Sequence, residues 1–130
     1  METMTWTSEE LDKIANADEL RIEPMRADGS PREPTTIWVV RDGDDLYIRA
    51  FRGPGGVWYR AARATHRGHI SAGGVDRDVA FVEEDDDERM DKIDHAYRSK
   101  YGNYPRQHVD PMVAPEARAA TLRVIPRSID

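Results

Sequence analysis

Trp38-Val39-Val40-Arg41-Asp42-Gly43-Asp44-Asp45-Leu46-Tyr47-Ile48-Arg49-Ala50-Phe51-Arg52-Gly53-Pro54-Gly55-Gly56-Val57-Trp58-Tyr59-Arg60 is the stretch that decides how this chain folds. Its first half sets a β-branched and aromatic run and an alternating run on either side of Asp42-Gly43. An Asp-Gly step between two such runs predicts a β-hairpin, because the turn needs positive φ and glycine supplies it without a Cβ clash. After the turn, Leu46, Ile48 and Ala50 alternate with Tyr47, Arg49 and Phe51. The first set is assigned to the core and the second to an outward row.

Working outward, the run at 35–40 is contiguously apolar from Ile37 to Val40 and reads as a central strand buried on both faces, with Trp38 in the core. Upstream, Leu20 and Ile22 alternate with Arg21 and Glu23, a half-buried strand over 20–25, and residues 27–32 carry turn chemistry. Thr7-Ser8-Glu9-Glu10 is a capping-box pattern that opens a helix over 8–16, with Trp6 as a lid at its entry. Downstream, 57–65 reads as a short helix, then 66–72 and 75–82 as strands joined by Gly73-Gly74. The acidic run at 83–88 sits where a helix should begin, since acids there offset the positive end of the helix dipole. That helix carries Met90, Ile93, Ala96, Tyr97 and Tyr101 on one face, with Gly102 as a left-handed cap. Three prolines hold 103–115 to a turn or two of helix, and 121–125 alternates as a last strand. Hairpins with helices between them predict an α+β chain with an antiparallel barrel core, and 1–130 reads as one domain.

Composition narrows the chemistry. There is no cysteine, so disulfides and thiolate metal sites are excluded. No apolar run approaches the roughly 18 residues of a membrane span, and the expectation is a soluble cytoplasmic protein with no membrane partner. Net charge is −6, yet residues 41–70 hold six arginines against three aspartates. A local arginine cluster on an acidic protein points to a small anion and away from nucleic acid.

Arg49, Arg52 and Arg60 interleave with Gly53, Gly55, Gly56, Trp58 and Tyr59. Glycines let backbone N–H groups approach an anion, a helix start adds positive partial charge, and arginine forks match phosphate oxygens. The spacing is neither a Walker loop nor a dinucleotide fingerprint, so the same residues also read as an exposed loop whose arginines pair with Asp44, Asp45 or the acidic run. His66 and His69, three apart in a strand, point to opposite faces and assign no metal. No serine lies in a nucleophile elbow, so no catalytic residue is assigned.

The succession from Trp38 to Arg49, then Gly53-x-x-Gly56-x-Trp58-Tyr59-Arg60, Gly68-x-Ile70-x-x-Gly73-Gly74, and the tail segments Ala96 to Gly102 and Thr121 to Pro126 resembles the FMN-binding split-barrel proteins. Within them it is similar to an uncharacterised bacterial domain-of-unknown-function family beside the deazaflavin-dependent nitroreductases and pyridoxamine-phosphate-oxidase-like proteins. The resemblance implies a six-stranded antiparallel split β-barrel with peripheral helices, a homodimer, and a phosphate-bearing small-molecule cofactor, FMN or deazaflavin F420. Carried onto this chain, the implied phosphate contacts are Arg49, Arg52 and Arg60 with the backbone of Gly53, Gly55 and Gly56, while Trp58 and Tyr59 border the pocket. Pro54 removes one backbone donor from that cradle. The implied activity is reduction of a small substrate, nitroreductase-like; the alternative is a cofactor-free small-ligand or protein-interaction module on the same barrel.

Overall fold

The computed structural model describes residues 5–127. Helix α1 (Ser8–Ala15) precedes strands β1 (Leu20–Pro24), β2 (Thr35–Ile37), β3 (Val40–Asp42) and β4 (Asp45–Arg49). A 3-10 turn at Gly53–Gly55 leads into α2 (Val57–Thr65), followed by β5 (Arg67–Ala72), β6 (Val75–Glu83) and α3 (Asp87–Lys100). Short helices α4 (Arg106–Val109) and α5 (Pro115–Arg118), with a 3-10 turn between them, return the chain to β7 (Thr121–Pro126).

Local chemistry closes each element. Thr7 accepts from the Glu10 N–H at 3.1 Å while the Glu10 carboxylate accepts from the Thr7 N–H at 3.0 Å, the reciprocal capping box. Asp86 caps α3 by accepting from the Arg89 N–H at 2.8 Å, so the acidic run does open that helix. Gly43 turns β3 into β4 at φ 63°, and Gly73 and Gly74 turn β5 into β6 at φ 57° and 87°. The Trp6 indole donates to the Val124 carbonyl at 2.9 Å, closing one end of the core as a lid. The expected left-handed cap at Gly102 is not formed: Tyr101 ends α3 at φ −107°. Glycine is needed at 102 for space instead, because a Cβ there would stand 2.5 Å from the Arg98 carbonyl oxygen.

All strands pair antiparallel in the order β2-β1-β5-β6-β7-β4-β3. The two edge strands, β2 and β3, are therefore consecutive in sequence, separated only by Trp38 and Val39. Such a link spans at most about 11 Å, whereas six gaps between flat strands would need about 29 Å. The sheet must curl until its ends meet. Inside the curl lies the main core, with Leu20, Ile22, Leu46, Ile48, Ile70, Phe81 and Leu122 among its members.

The sheet has seven strands, not the six expected, and the extra one comes from breaking the run at 35–40. Continuing the β1–β2 register beyond Leu20↔Ile37 would place Val39 opposite Asp18. The Tyr101 phenol occupies that position, accepting from the Val39 N–H at 3.1 Å and donating to the Asp18 carbonyl at 2.8 Å. Lys100 donates to the Val39 carbonyl at 2.7 Å, and Trp38 stacks flat on Tyr101 at 3.9 Å. Side chains of α3 thus replace ladder bonds. A central strand becomes two edge strands, and Trp38 packs half-buried at the seam instead of in the core.

The outward row expected on β4 is also revised. Tyr47 and Arg49 are buried, because α3 covers that face with a second cluster of Val40, Tyr47, Ile93, Tyr97, Tyr101, Val109 and Met112. Only Phe51, past the end of the strand, is exposed, at 56 %.

Candidate functional site

The seam where the sheet edges meet is closed only in part. β3 pairs with β4 through Val40↔Tyr47, Arg41↔Leu46 and Asp42↔Asp45. Extended by the same register, Trp38 would face Arg49 and Thr36 would face Phe51, but pairing stops at Val40. The two segments part there and leave a cleft of about 680 Å³. One wall is β2 and its continuation, Thr35 to Trp38; the second is Arg49 to Arg52 with the start of α2 at Gly56, Val57 and Trp58; the third is Tyr104, Gln107, His108, Pro111 and Met112.

None of the sixteen described residues lining this cleft carries a carboxylate, although the chain holds 25 acids against 19 lysines and arginines. Excluding acids from this concavity of an acidic protein raises the local potential there. Gly56 caps α2 without a side chain, and the first intrahelical bond runs from the Arg60 N–H to the Gly56 carbonyl at 3.0 Å. The N–H groups of Val57, Trp58 and Tyr59 have no intrahelical acceptor, and no acid stands in that first turn. Arg52 makes no ion pair with a described residue and lies over the Phe51 ring, 5.1 Å from its centroid.

Arg49 lines the same cleft in a different state. Its Nε donates to Thr121 Oγ1 at 2.9 Å, its Nη1 to Asp94 and to the Met112 carbonyl at 3.0 Å, and its Nη2 to the Met90 carbonyl and sulfur at 3.3 Å. All five donors of the guanidinium are engaged. Arg118 grips the other Asp94 oxygen at 2.6 Å, completing a part-buried Arg-Asp-Arg network, with Arg49 at its buried end, that ties β4, α3, α5 and β7 together. Tyr97 stacks beneath Arg49, and burial pushes its phenol well above the usual range. Burial likewise raises the Tyr47 phenol to about 12 and lowers the Lys100 ammonium to about 8.

Of the residues singled out from sequence, Arg49, Arg52, Gly56 and Trp58 line the cleft. Gly53 and Gly55 form the preceding 3-10 turn, with Gly53 at φ 80° against Glu116. Tyr59 turns into the core, edge-on to Trp58 at 6.1 Å, and Arg60 is exposed outside the lining. Thr36, Trp38, Tyr104, Gln107 and His108 were not singled out for the site. The only sequence hint was the aromatic Trp38 within a β-rich run, since the third wall comes from a proline-broken segment with no periodicity. His66 caps α2 in the left-handed region at φ 58° and meets Glu83, while His69 meets Asp76 and Asp78 across the β5–β6 hairpin. Among the described residues no cluster is placed to hold a metal ion, and no helix is long and apolar enough to cross a membrane.

The profile of a bacterial family described as uncharacterized and conserved, DUF2255, matches residues 10–124. The chain is a DUF2255 protein. A comparison with curated proteins finds no sequence match. Among solved structures, this DUF2255 protein is similar to a conserved hypothetical protein of Mycobacterium tuberculosis, with 13 % identity, a TM-score of 0.63 and coverage of 100 % of this chain and 86 % of the other. It is also similar to a protein of Listeria innocua named as a candidate pyridoxamine 5′-phosphate oxidase (11 %, 0.59, 92 % and 90 %). A FAD-binding protein of Mesorhizobium loti aligns at 19 % identity and TM-score 0.55 over 94 % and 89 %. At these identities the likeness is one of fold.

Proposed function

We propose that this DUF2255 protein binds a phosphorylated flavin or deazaflavin in the seam cleft and serves reduction of a small substrate. The observation that carries the reading is a cleft of about 680 Å³ whose described lining holds no carboxylate, in which Arg52, in no ion pair with a described residue, and the open start of α2 stand beside aromatic walls. A cleft of that size suits one planar ligand. Arg52 with the N–H groups of Val57 to Tyr59 is suited to a phosphate, Gly56 lets the backbone approach, and Trp38 and Trp58 flank a ring. Arg49 acts through the network that holds β4 and α3 in place. The FAD-binding protein of Mesorhizobium loti, alike in fold, supports the same ligand class.

A bound flavin or deazaflavin supplies hydride transfer; the chain contributes anion binding, ring orientation and exclusion of water. Phe51 at 56 % and Val57 at 83 % exposure stand at the rim, where a second copy would cover them in the homodimer we propose. Titration of the purified protein with FMN and with F420, followed by fluorescence quenching, tests the reading. Saturable binding of one of them is expected; binding of neither leaves the cofactor-free module.

A further inference from the structure

We propose that the backbone of Thr36 is the recognition edge of the cleft and reads the imide rim of a planar heterocycle, an inference that rests on the cleft being a flavin or deazaflavin site. The direction of its N–H and C=O follows from the ladder. The Met25 N–H donates to the Arg67 carbonyl at 2.9 Å, at the position that extends the β1–β5 register. Alternate residues of an antiparallel strand turn both backbone groups to opposite neighbours. Glu23 and Arg21 therefore face β5, and Leu20, Ile22 and Pro24 face the other way, toward β2. The Pro24 carbonyl does accept from the Arg32 N–H at 2.9 Å on that side. Ile22↔Thr35 and Leu20↔Ile37 are then hydrogen-bonded pairs, and Thr36 between them points its N–H and C=O away from the sheet.

β2 is an edge strand, and no described residue bonds to either group of Thr36. They look across the split toward Phe51, the residue that would have opposed Thr36 had the β3–β4 pairing continued. A donor beside an acceptor on one extended residue is half of a ladder pair. Its complement is a ring edge that presents an acceptor and a donor side by side in one plane, as an imide or lactam does. Flavins and deazaflavins carry that edge at the end of the ring remote from the phosphate chain. The walls are arranged to match: Arg52 and the α2 start for the anion, tryptophans for the ring faces, the free strand edge for the rim.

The test compares FMN and F420 affinity of the wild type, Thr36→Pro and Thr36→Val by fluorescence titration, with circular dichroism to verify folding. Proline removes the N–H and is tolerated on an edge strand where that group has no ladder partner; valine keeps the backbone and loses the hydroxyl. Thr36→Pro should weaken binding about tenfold and Thr36→Val less than twofold. Wild-type protein titrated with FMN methylated at the imide nitrogen gives an arm independent of any variant's folding, again with about tenfold weaker binding expected. Unchanged affinity in Thr36→Pro, equal loss in both variants, or undiminished binding of the methylated flavin overturns the assignment while leaving the cleft reading intact. Failure of the wild type to bind either parent cofactor overturns both.

Discussion

Arg49 and Arg52 are three residues apart in one segment and border one cleft, yet they belong to different regions of the molecule. Arg49 is the last residue of β4 in the barrel wall, its side chain fully buried and every N–H given to Asp94, Thr121, Met112 or Met90. Arg52 lies past the end of the strand, exposed, over the Phe51 ring and in no ion pair with a described residue. The difference teaches that residue type and spacing do not separate an arginine locked into the fold from one left available to a ligand. What separates them is whether the fold has already satisfied the guanidinium.

The sharpest way to break this contrast is Arg49→Met. It leaves Asp94 with Arg118 alone and removes the donor to the Met112 carbonyl, and removing one partner of a largely buried pair costs about 3–5 kcal/mol. Chemical denaturation should show a loss of that size; a loss below about 1 kcal/mol would mean that the network is not structural. Tyr101→Phe removes the phenol that stands in for the broken ladder at Val39, and should cost about 1–3 kcal/mol by the same measurement.

Arg52→Gln should do the reverse of Arg49→Met. Stability is expected to change by less than about 0.5 kcal/mol, while FMN or F420 affinity falls about tenfold through loss of a charge-assisted contact. Equal affinity in wild type and Arg52→Gln would remove Arg52 from the site.

A pH-dependent effect concerns Lys100, which also holds the seam. Burial lowers its folded pKa to about 8 from an ordinary 10.5, so between those values the unfolded chain keeps a proton that the folded protein has released. Stability must then rise with pH across that window, and below pH 8 the buried ammonium is a constant cost. The raised Tyr47 and Tyr97 phenols act in the opposite sense above about pH 10. Subtracting the Lys100→Met profile isolates the lysine: the difference should move in favour of the wild type between pH 8 and 10, and a flat difference contradicts the assignment.

Legibility tracked the distance over which interactions act. The Thr7-Glu10 capping box, the Gly43 and Gly73-Gly74 turns and the acidic start of α3 each depend on residues within four positions, and each was readable. The break at Trp38 and Val39 was not, because the groups that replace the ladder come from Lys100 and Tyr101, about sixty residues away. The covering of β4 was missed for the same reason, since alternation shows that two faces differ without showing what lies on each. For the site, Arg52, Gly56 and Trp58 could be read from the glycine-rich segment, but Thr36, Tyr104, Gln107 and His108 join it only through the curl of the sheet.

By itself, the sequence determined the hairpins, the helices and the caps that open α1 and α3, and a basic, glycine-rich segment on an acidic chain, because propensity, turn chemistry and charge act locally. The tertiary structure alone decided that one predicted strand would divide between the two edges of the sheet, that Arg49 would be consumed by Asp94, and that the gap left beside Arg52 would be lined without a carboxylate. Those outcomes depend on which side chains meet once the sheet has closed on itself.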